Sequence, residues 1–448
     1  MLYEIKKMRF AVFSLALLVS AFFPPPVQAQ SSQLQEVVLE NGLKVLLLEN
    51  HKSPSVTFQV WYRVGSRNEE DGKSGLSHFL EHMMFKGTSK VGPEEYSRII
   101  AKNGGRSNAF TSTDHTVYFA TMSREKIGIA IELEADRMAD AIKDRSYFEP
   151  EKKVIMEERR LRTEDNPTSA LAEVTGAVAY TIHPYRRPVV GWMGDIQELS
   201  WEDLQRHYRS YYLPNNAFIV VVGDFSTPEI LDKIRDAFGK IPRGPESPRV
   251  TAEELPQRGE RRVILKKEAE LPFLLFYYHV PNIKDLSSFA LDLLSVVLAG
   301  GRSSRLYQDL VYHRRIARSV DADYGGLSVD PTVFSVTAQV MPDKDPAEVE
   351  RALDTLINRV RSEPVSEREI EKAKNQIESA FVFGRDSVFG QAMRIGQYES
   401  AVDWRLLDGY LAAIRKVTAA DILKAAKRYL DPDRRTVGTL IPTKEEKQ

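Results

Sequence analysis

Ser74-Gly-Leu-Ser-His78-Phe-Leu-Glu81-His82-Met-Met-Phe-Lys86-Gly87 is the stretch around which this 448-residue chain is arranged. Its punctuation predicts a helix, with Ser74 ahead of the first turn, Lys86 in the last and Gly87 as the stop. Residues three and four apart share one helix face, so His78, Glu81 and His82 point into the same small volume. Two imidazoles one turn apart form a clamp for Zn²⁺, and a carboxylate between them can take a proton from activated water. These residues alone fit equally an amphipathic helix whose His pair is packed or solvated. A third ligand must come from elsewhere.

Phe148-Glu-Pro150-Glu151-Lys-Lys-Val154-Ile155-Met-Glu157-Glu158-Arg-Arg-Leu161 supplies one. Pro150 in a first turn predicts a helix. Its apolar stripe is expected to run through Val154, Ile155 and Leu161, with Glu151 and Glu158 on the stripe and Glu157 off it. A carboxylate facing a core is costly unless it is paired or metal-bound. That selects Glu158 as third ligand and Glu151, two turns earlier, as a supporting carboxylate. Taken by itself, the segment also reads as a charge-rich surface helix with i,i+4 ion pairs.

His78-x-x-Glu81-His82 is the inverted form of the H-E-x-x-H metallopeptidase pattern. With Glu151 and Glu158 after a long gap, it resembles the M16 family of zinc peptidases (pitrilysin, insulin-degrading enzyme, mitochondrial processing peptidase), in its half-length bacterial M16B form. Further matches are Asn41-Gly-Leu-Lys-Val45, Asn108-Ala-Phe-Thr-Ser-Thr-Asp-His115-Thr-Val-Tyr118, His183-Pro-Tyr185 with Gly191, and Tyr212-Leu-Pro-Asn-Asn216. The resemblance implies that His78, His82 and Glu158 hold zinc, that Glu81 is the general base, and that Glu151 supports the site. It also implies that Asn108, Ala109 and Phe110 lie on an edge strand beside the metal, to which a peptide substrate adds as a further strand. His115 and the His183-Pro-Tyr185 loop are expected to be structural.

Composition sets the outer bounds. The formal charge is -1, which gives no reason to expect a nucleic-acid partner. There are no Cys residues, so disulfides, thiol catalysis and Cys-bound zinc are all excluded. Lys6, Lys7 and Arg9, the apolar run Phe10–Phe23 and the Val27-Gln28-Ala29 site predict a cleavable export signal over 1–29. The run is too short for a membrane span of about 20 residues, so the expectation is a periplasmic protein without a stable membrane anchor.

Alternating strand and helix signals predict an α+β fold of two similar domains, 30–245 and 259–445, in a clam-shell arrangement. A Pro-rich linker, 246–258, joins them. Tyr429-Leu-Asp-Pro echoes Tyr212-Leu-Pro-Asn, each after a helix and before a strand-like run. The helix over Phe289–Leu298 stands at the metal position of the second domain and carries no ligands.

The chain departs from its single-chain relatives at one place. They carry an Arg and a Tyr in a motif resembling L-R-E-x-x-G-L-A-Y-S-V, which contact the scissile carbonyl. Here Leu310–Val320 reads L-V-Y-H-R-R-I-A-R-S-V, so Val311 replaces the Arg and Arg318 the Tyr. The expected function is therefore zinc-dependent hydrolysis of unfolded peptides or short polypeptides, completed by a homologous partner subunit that supplies Arg and Tyr. A homodimer in which Arg318 substitutes is the alternative assembly. A non-catalytic peptide-binding or scaffolding subunit is the alternative function, although a scaffold has no use for Glu81 beside a metal.

Overall fold

The computed structural model describes residues 34–141 and 143–443; the expected export signal lies outside them. Short apolar runs between turns form β1 (Gln35–Val38), β2 (Lys44–Glu49) and β3 (Ser55–Tyr62). They feed α1 (Leu76–Met83) and α2 (Glu95–Lys102), and then a hairpin of β4 (Arg106–Thr111) and β5 (Thr116–Ser123). The helices α3 (Ile127–Asp140), α4 (Phe148–Arg159) and α5 (Pro167–Ala179) follow. Then come α6 (Met193–Glu198), α7 (Trp201–Tyr211), β6 (Ala217–Gly223) and α8 (Thr227–Phe238).

The second half repeats this plan. It opens with β7 (Arg261–Glu268), β8 (Phe273–Val280) and α9 (Ser287–Ala299), followed by β9 (Ala317–Tyr324) and β10 (Thr332–Val340). The helices α10 (Pro346–Ser362), α11 (Glu367–Phe383) and α12 (Val388–Ala401) come next. The chain closes with α13 (Leu406–Lys416), α14 (Ala419–Tyr429) and β11 (Arg435–Thr443).

The result is an α+β fold with two mixed sheets flanked by helices, ordered β1-β2-β6-β3-β5-β4 and β7-β11-β8-β10-β9. In each sheet the last strand of the half inserts between the first two long ones, parallel to one and antiparallel to the other. β6 reads Ala-Phe-Ile-Val-Val-Val-Gly and is buried at every position, as a central strand covered on both faces must be. One face carries Val45, Phe58, Val60 and Ile219 toward α1 and its neighbours. The other carries Leu46, Trp61, Phe218 and Val220, and its cover comes from Ala392 and Ile395 of α12.

The exchange is mutual. α5, from the first half, packs Leu171 onto Leu275 and Leu440 of the second sheet. Both crossings need a glycine. A Cβ on Gly396 of α12 would overlap the Trp61 indole, and one on Gly438 of β11 would overlap Thr175 of α5. Ion pairs reinforce the contact, with Lys44 and Arg63 on Glu399 at 2.8 and 2.6 Å and Arg67 on Asp330 at 2.5 Å.

The linker is tied down along its length, so its Pro-rich composition does not make it a hinge. Glu254 accepts from the backbone N–H groups of Thr181, Ile182 and His183, and Gln257 donates to Arg435 O. Side chains capture its backbone, and the composition signal alone does not reveal that.

Helix propensity and packing make opposite predictions at Gly396. Ala gains about 1 kcal/mol in an open helix interior, but here the methyl must displace Trp61. Gly396→Ala should lower unfolding free energy by about 1–3 kcal/mol in urea titration. Gly409→Ala, on α13 with no atom in the way, should raise it by up to about 1 kcal/mol.

Candidate metal centre

α1 starts where backbone meets backbone. Gly75 has φ +91° and packs directly on Gly191, also at φ +91°, so a Cβ on either would strike the other's main chain. The expected Ser74 cap is not made: its hydroxyl donates to Asp195 at 2.5 Å and accepts from Trp192 N at 2.9 Å instead of from the helix. Glu69 takes that role: its carboxylate accepts from Gly75 N at 2.8 Å and Ser77 N at 2.7 Å, satisfying the exposed donors of the first turn. Burial pushes Glu69 up to about 7, against those hydrogen bonds. Phe79, Leu80 and Met83 then anchor the inner face of α1 in the core.

α4 crosses α1 with Phe148 stacked on Phe79, ring centroids 4.9 Å apart. Its buried face is Phe148, Glu151, Lys152, Ile155 and Arg159, while Val154 is 49% and Leu161 62% exposed. The apolar stripe expected through Val154 and Leu161 is therefore corrected. α4 turns charged groups inward because polar partners meet them: Lys152 donates to Leu199 O at 2.8 Å. Arg159 donates to Gly191 O at 2.7 Å and pairs with both oxygens of Glu173. Past Arg159 the chain widens into a π-helix over Arg160–Glu164, which carries Leu161 off the helix phase. Glu157 still points outward, paired with Arg160 at 3.0 Å, and Glu158 inward.

The crossing brings His78, His82 and Glu158 together. Each offers one ligand atom, all within 4.8 Å of one another. His82 Nε2 lies 3.3 Å and His78 Nε2 3.7 Å from the Glu158 carboxylate. His82 Nδ1 donates to Glu151 at 2.8 Å, which leaves Nε2 as the ligand nitrogen, and Lys86 Nζ holds the other Glu151 oxygen at 2.7 Å. His78 is buried, and its Nδ1 has no hydrogen-bond partner. Two imidazoles and a carboxylate suit Zn²⁺, whose tetrahedral sites take three protein ligands when the fourth position is open. The residues present fit the ion.

Charge is graded across the group. Burial, with the neighbouring His82, lowers His78 to about 4, so its lone pair is free for a metal. Burial opposes the His82 imidazolium, but its bonds to Glu151 and Glu158 raise it to about 9, so metal uptake displaces a proton. The hydrogen bond from His82 holds Glu158 below the usual carboxylate range. Burial works against the Glu151 carboxylate, and the bonds from His82 and Lys86 outweigh it, leaving Glu151 low as well.

Glu81 stands apart from this pairing. Burial raises it, and its one hydrogen bond comes from Thr111 Oγ1 to Oε2 at 2.6 Å. Thr111 ends β4, the edge strand of the first sheet, which packs against α1 and pairs with β5 alone among the described residues. Asn108 is exposed, Ala109 faces the α1 side, and the Phe110 ring is spent on Trp61 and Phe119 across the sheet. The exposed Asn108 side chain accepts from Ala109 N at 2.9 Å, and the rest of the segment's outer main chain is left to face a ligand. Thr111 and Glu69 are contributors that motif reading does not single out, and Lys86, read there only as helix punctuation, holds Glu151; Thr111 has a signal, since it lies two residues after Ala109 on the same face.

His115 bonds Ser400 at 3.0 Å and packs on Trp61, and His183 bonds Asp330 at 3.0 Å, so both serve contacts between the halves. Arg318 is exposed on β9, the edge of the other sheet. Arg315, where the L-R-E-x-x-G motif carries Gly, has φ +53°.

Comparison with known proteins agrees with this geometry. Residues 44–191 match the model of insulinase (peptidase family M16), and residues 198–377 that of the peptidase M16 inactive domain. The chain is 31% identical over 434 residues to the zinc protease PqqE of Helicobacter pylori, covering 96% of this chain and 97% of that one. It is 27% identical over 368 residues to the uncharacterized zinc protease YmxG of Bacillus subtilis, covering 82% and 88%. The crystal structure of a protease from Helicobacter pylori superposes with a TM-score of 0.89 at 30% identity, covering 92% of this chain and all of that one. The peptidase M16 inactive domain from Pseudomonas fluorescens shares the fold, with a TM-score of 0.82 at 17% identity, 93% and 99% covered. With its His78, His82 and Glu158 group placed to hold zinc, this chain is a zinc protease of the peptidase M16 family.

Proposed function

We propose that the protein is an endopeptidase for unfolded peptides and short polypeptides, with Glu81 as general base. The observation that carries this reading is the position of Glu81 on the helix face shared by the two His ligands, with Thr111 holding one of its oxygens. Bound zinc supplies Lewis acidity toward water and toward a peptide carbonyl. Glu81 Oε1, left free by Thr111, takes the proton of the attacking water and delivers it to the leaving nitrogen as the C–N bond breaks. Burial of Glu81 supports this, because a carboxyl raised toward neutrality both accepts and returns a proton readily. The free edge of β4 beside α1 suits main-chain pairing with an extended peptide at Asn108, Ala109 and Phe110.

Catalysis in this proposal needs a second, homologous subunit carrying the Arg and Tyr that Val311 and Arg318 replace. The exchange of α5 and α12 supports it: each half is taken up in covering the other's sheet, which favours an opposing chamber wall from another chain. Export to the periplasm is part of the same reading and rests on the sequence signal over 1–29. No described helix is long and apolar enough to cross a membrane.

Glu81→Gln should keep full zinc content by atomic absorption while cleavage of a quenched, unstructured peptide falls by about 10²–10⁴; normal turnover would reject Glu81 as the base. Glu158→Gln should lose zinc, and Glu157→Gln should keep it. Glu151→Gln should weaken zinc affinity by about 10–100-fold in chelator competition through the loosened His82 ring. The wild-type chain alone should bind zinc with little turnover, and mixing with an Arg/Tyr-bearing homologue should restore cleavage.

A further inference from the structure

α9 follows β8 and packs on edge strand β9, as α1 follows β3 and packs on β4. It carries no metal ligands, yet it borders a cavity of about 260 Å³. Ser288 and Asp292, one turn apart on α9, both line it, together with Tyr324 at the end of β9, Tyr398 of α12 and Tyr410 of α13. Ser288 is 1% exposed, and its Oγ has no hydrogen-bond partner. The Asp292 carboxylate takes one hydrogen bond, from Tyr410 Oη at 3.0 Å. Among the described residues no cation neutralises it, and the nearby charge is Asp323, of the same sign.

A partly buried carboxylate without a counter-charge is unfavourable, as is a buried hydroxyl that pairs with nothing. Burial accordingly pushes Asp292 up to about 7. An anion in this cavity would meet Asp292, with Asp323 of the same sign nearby; a neutral apolar guest would leave Ser288 Oγ unpaired and Asp292 with the Tyr410 bond alone. A cation with N–H donors satisfies both. Tyrosine ring faces attract such a cation and also cover an alkyl chain, and the Tyr324 hydroxyl is already engaged with Pro281 O at 2.7 Å.

We propose that this cavity binds a small primary alkylammonium ion, whose N–H groups donate to Asp292 and to Ser288 Oγ while Tyr324, Tyr398 and Tyr410 enclose its chain. The cavity shares no lining residue with the zinc centre. The cation is either a free amine or the side chain of a lysine presented by a peptide, and the chemistry of recognition is the same.

The test is calorimetric titration of the purified, zinc-loaded chain with n-butylammonium chloride, with butan-1-ol as the neutral match. One saturable site is expected, with butanol binding at least tenfold more weakly and Asp292→Asn weakening the ammonium at least tenfold. Ser288→Ala, which removes one hydroxyl and gives a second variant should Asp292→Asn misfold, should weaken it severalfold. Absence of saturable butylammonium binding, equal binding of butanol, or unchanged affinity in the folded variants would overturn the proposal. Displacement of butylammonium by N-acetyl-lysine amide would identify a lysine side chain as the natural occupant; saturable butylammonium binding without that displacement would identify a free amine.

Discussion

The stack of Phe79 on Phe148 sets the separation on which the site depends. The rings lie 4.9 Å apart and nearly parallel, with Trp201 edge-on and the Lys152 ammonium over Phe148. Phe79 adjoins His78, and Phe148 lies one turn before Glu151, so the same contact that closes the core faces two imidazoles toward two carboxylates. Two fully buried aromatic side chains contribute several kcal/mol of apolar burial, on the order of 2–3 each. That contribution opposes the cost of gathering two carboxylates and two imidazoles before any metal binds. The site is thus positioned by packing, and its polar groups then choose among themselves which carries a proton.

That choice is organised by pairs. Glu151 and Glu158 each meet a cation, Lys86 at 2.7 Å and Arg162 at 2.7 Å, and His82 bridges the two carboxylates. Glu81 has only a hydroxyl, from Thr111. A carboxylate satisfied by a cation stays ionised and suits ligation or orientation; one left with a hydroxyl in a buried setting rises toward the range where it can exchange a proton. Behind them, Glu134 and Arg137 form a fully buried ion pair, with the guanidinium over the rings of Tyr96, Phe85 and Tyr118. Arg137 lies close enough to lower Glu81 slightly and offset part of its desolvation.

The repeat gives each half the same order of five strands, with β1 an added edge strand in the first, and a helix after the second long strand, but only α1 carries ligands. The halves do not stand side by side as separate bodies. α12 covers Trp61 and α5 covers Leu275 and Leu440, with Gly396 and Gly438 allowing the close approach. Each sheet borrows the cover for its second face from the other half, which is why β6 is buried throughout without helices of its own half on both sides. The polar contacts Arg67–Asp330, His183–Asp330 and Asp114 with Val329 N seal the same boundary.

The sequence by itself determined the elements and the chemistry. Local periodicity and punctuation place α1, α4, β6 and α9 within a few residues, because these signals depend on neighbours along the chain. The spacing of His78, Glu81 and His82 defines a metal face for the same reason; Glu158 falls inward with Glu151 and Ile155 by the helical period, although two of the three residues of the stripe used to choose it are exposed. Tertiary structure decided what depends on contacts across the chain. The stripe through Val154 and Leu161 is exposed, because α4 meets polar partners from α1, α5 and the 190–199 segment instead of an apolar surface. Glu69 caps α1 in place of Ser74, because Asp195 and Trp192 N between them engage the Ser74 hydroxyl. Thr111 reaches Glu81 only once β4 lies against α1, and the glycines at 75, 191, 396 and 438 acquire their roles only when another backbone or side chain arrives. Secondary structure is written in short-range spacing; partners brought together from distant parts of the chain are fixed by packing, which no local pattern records.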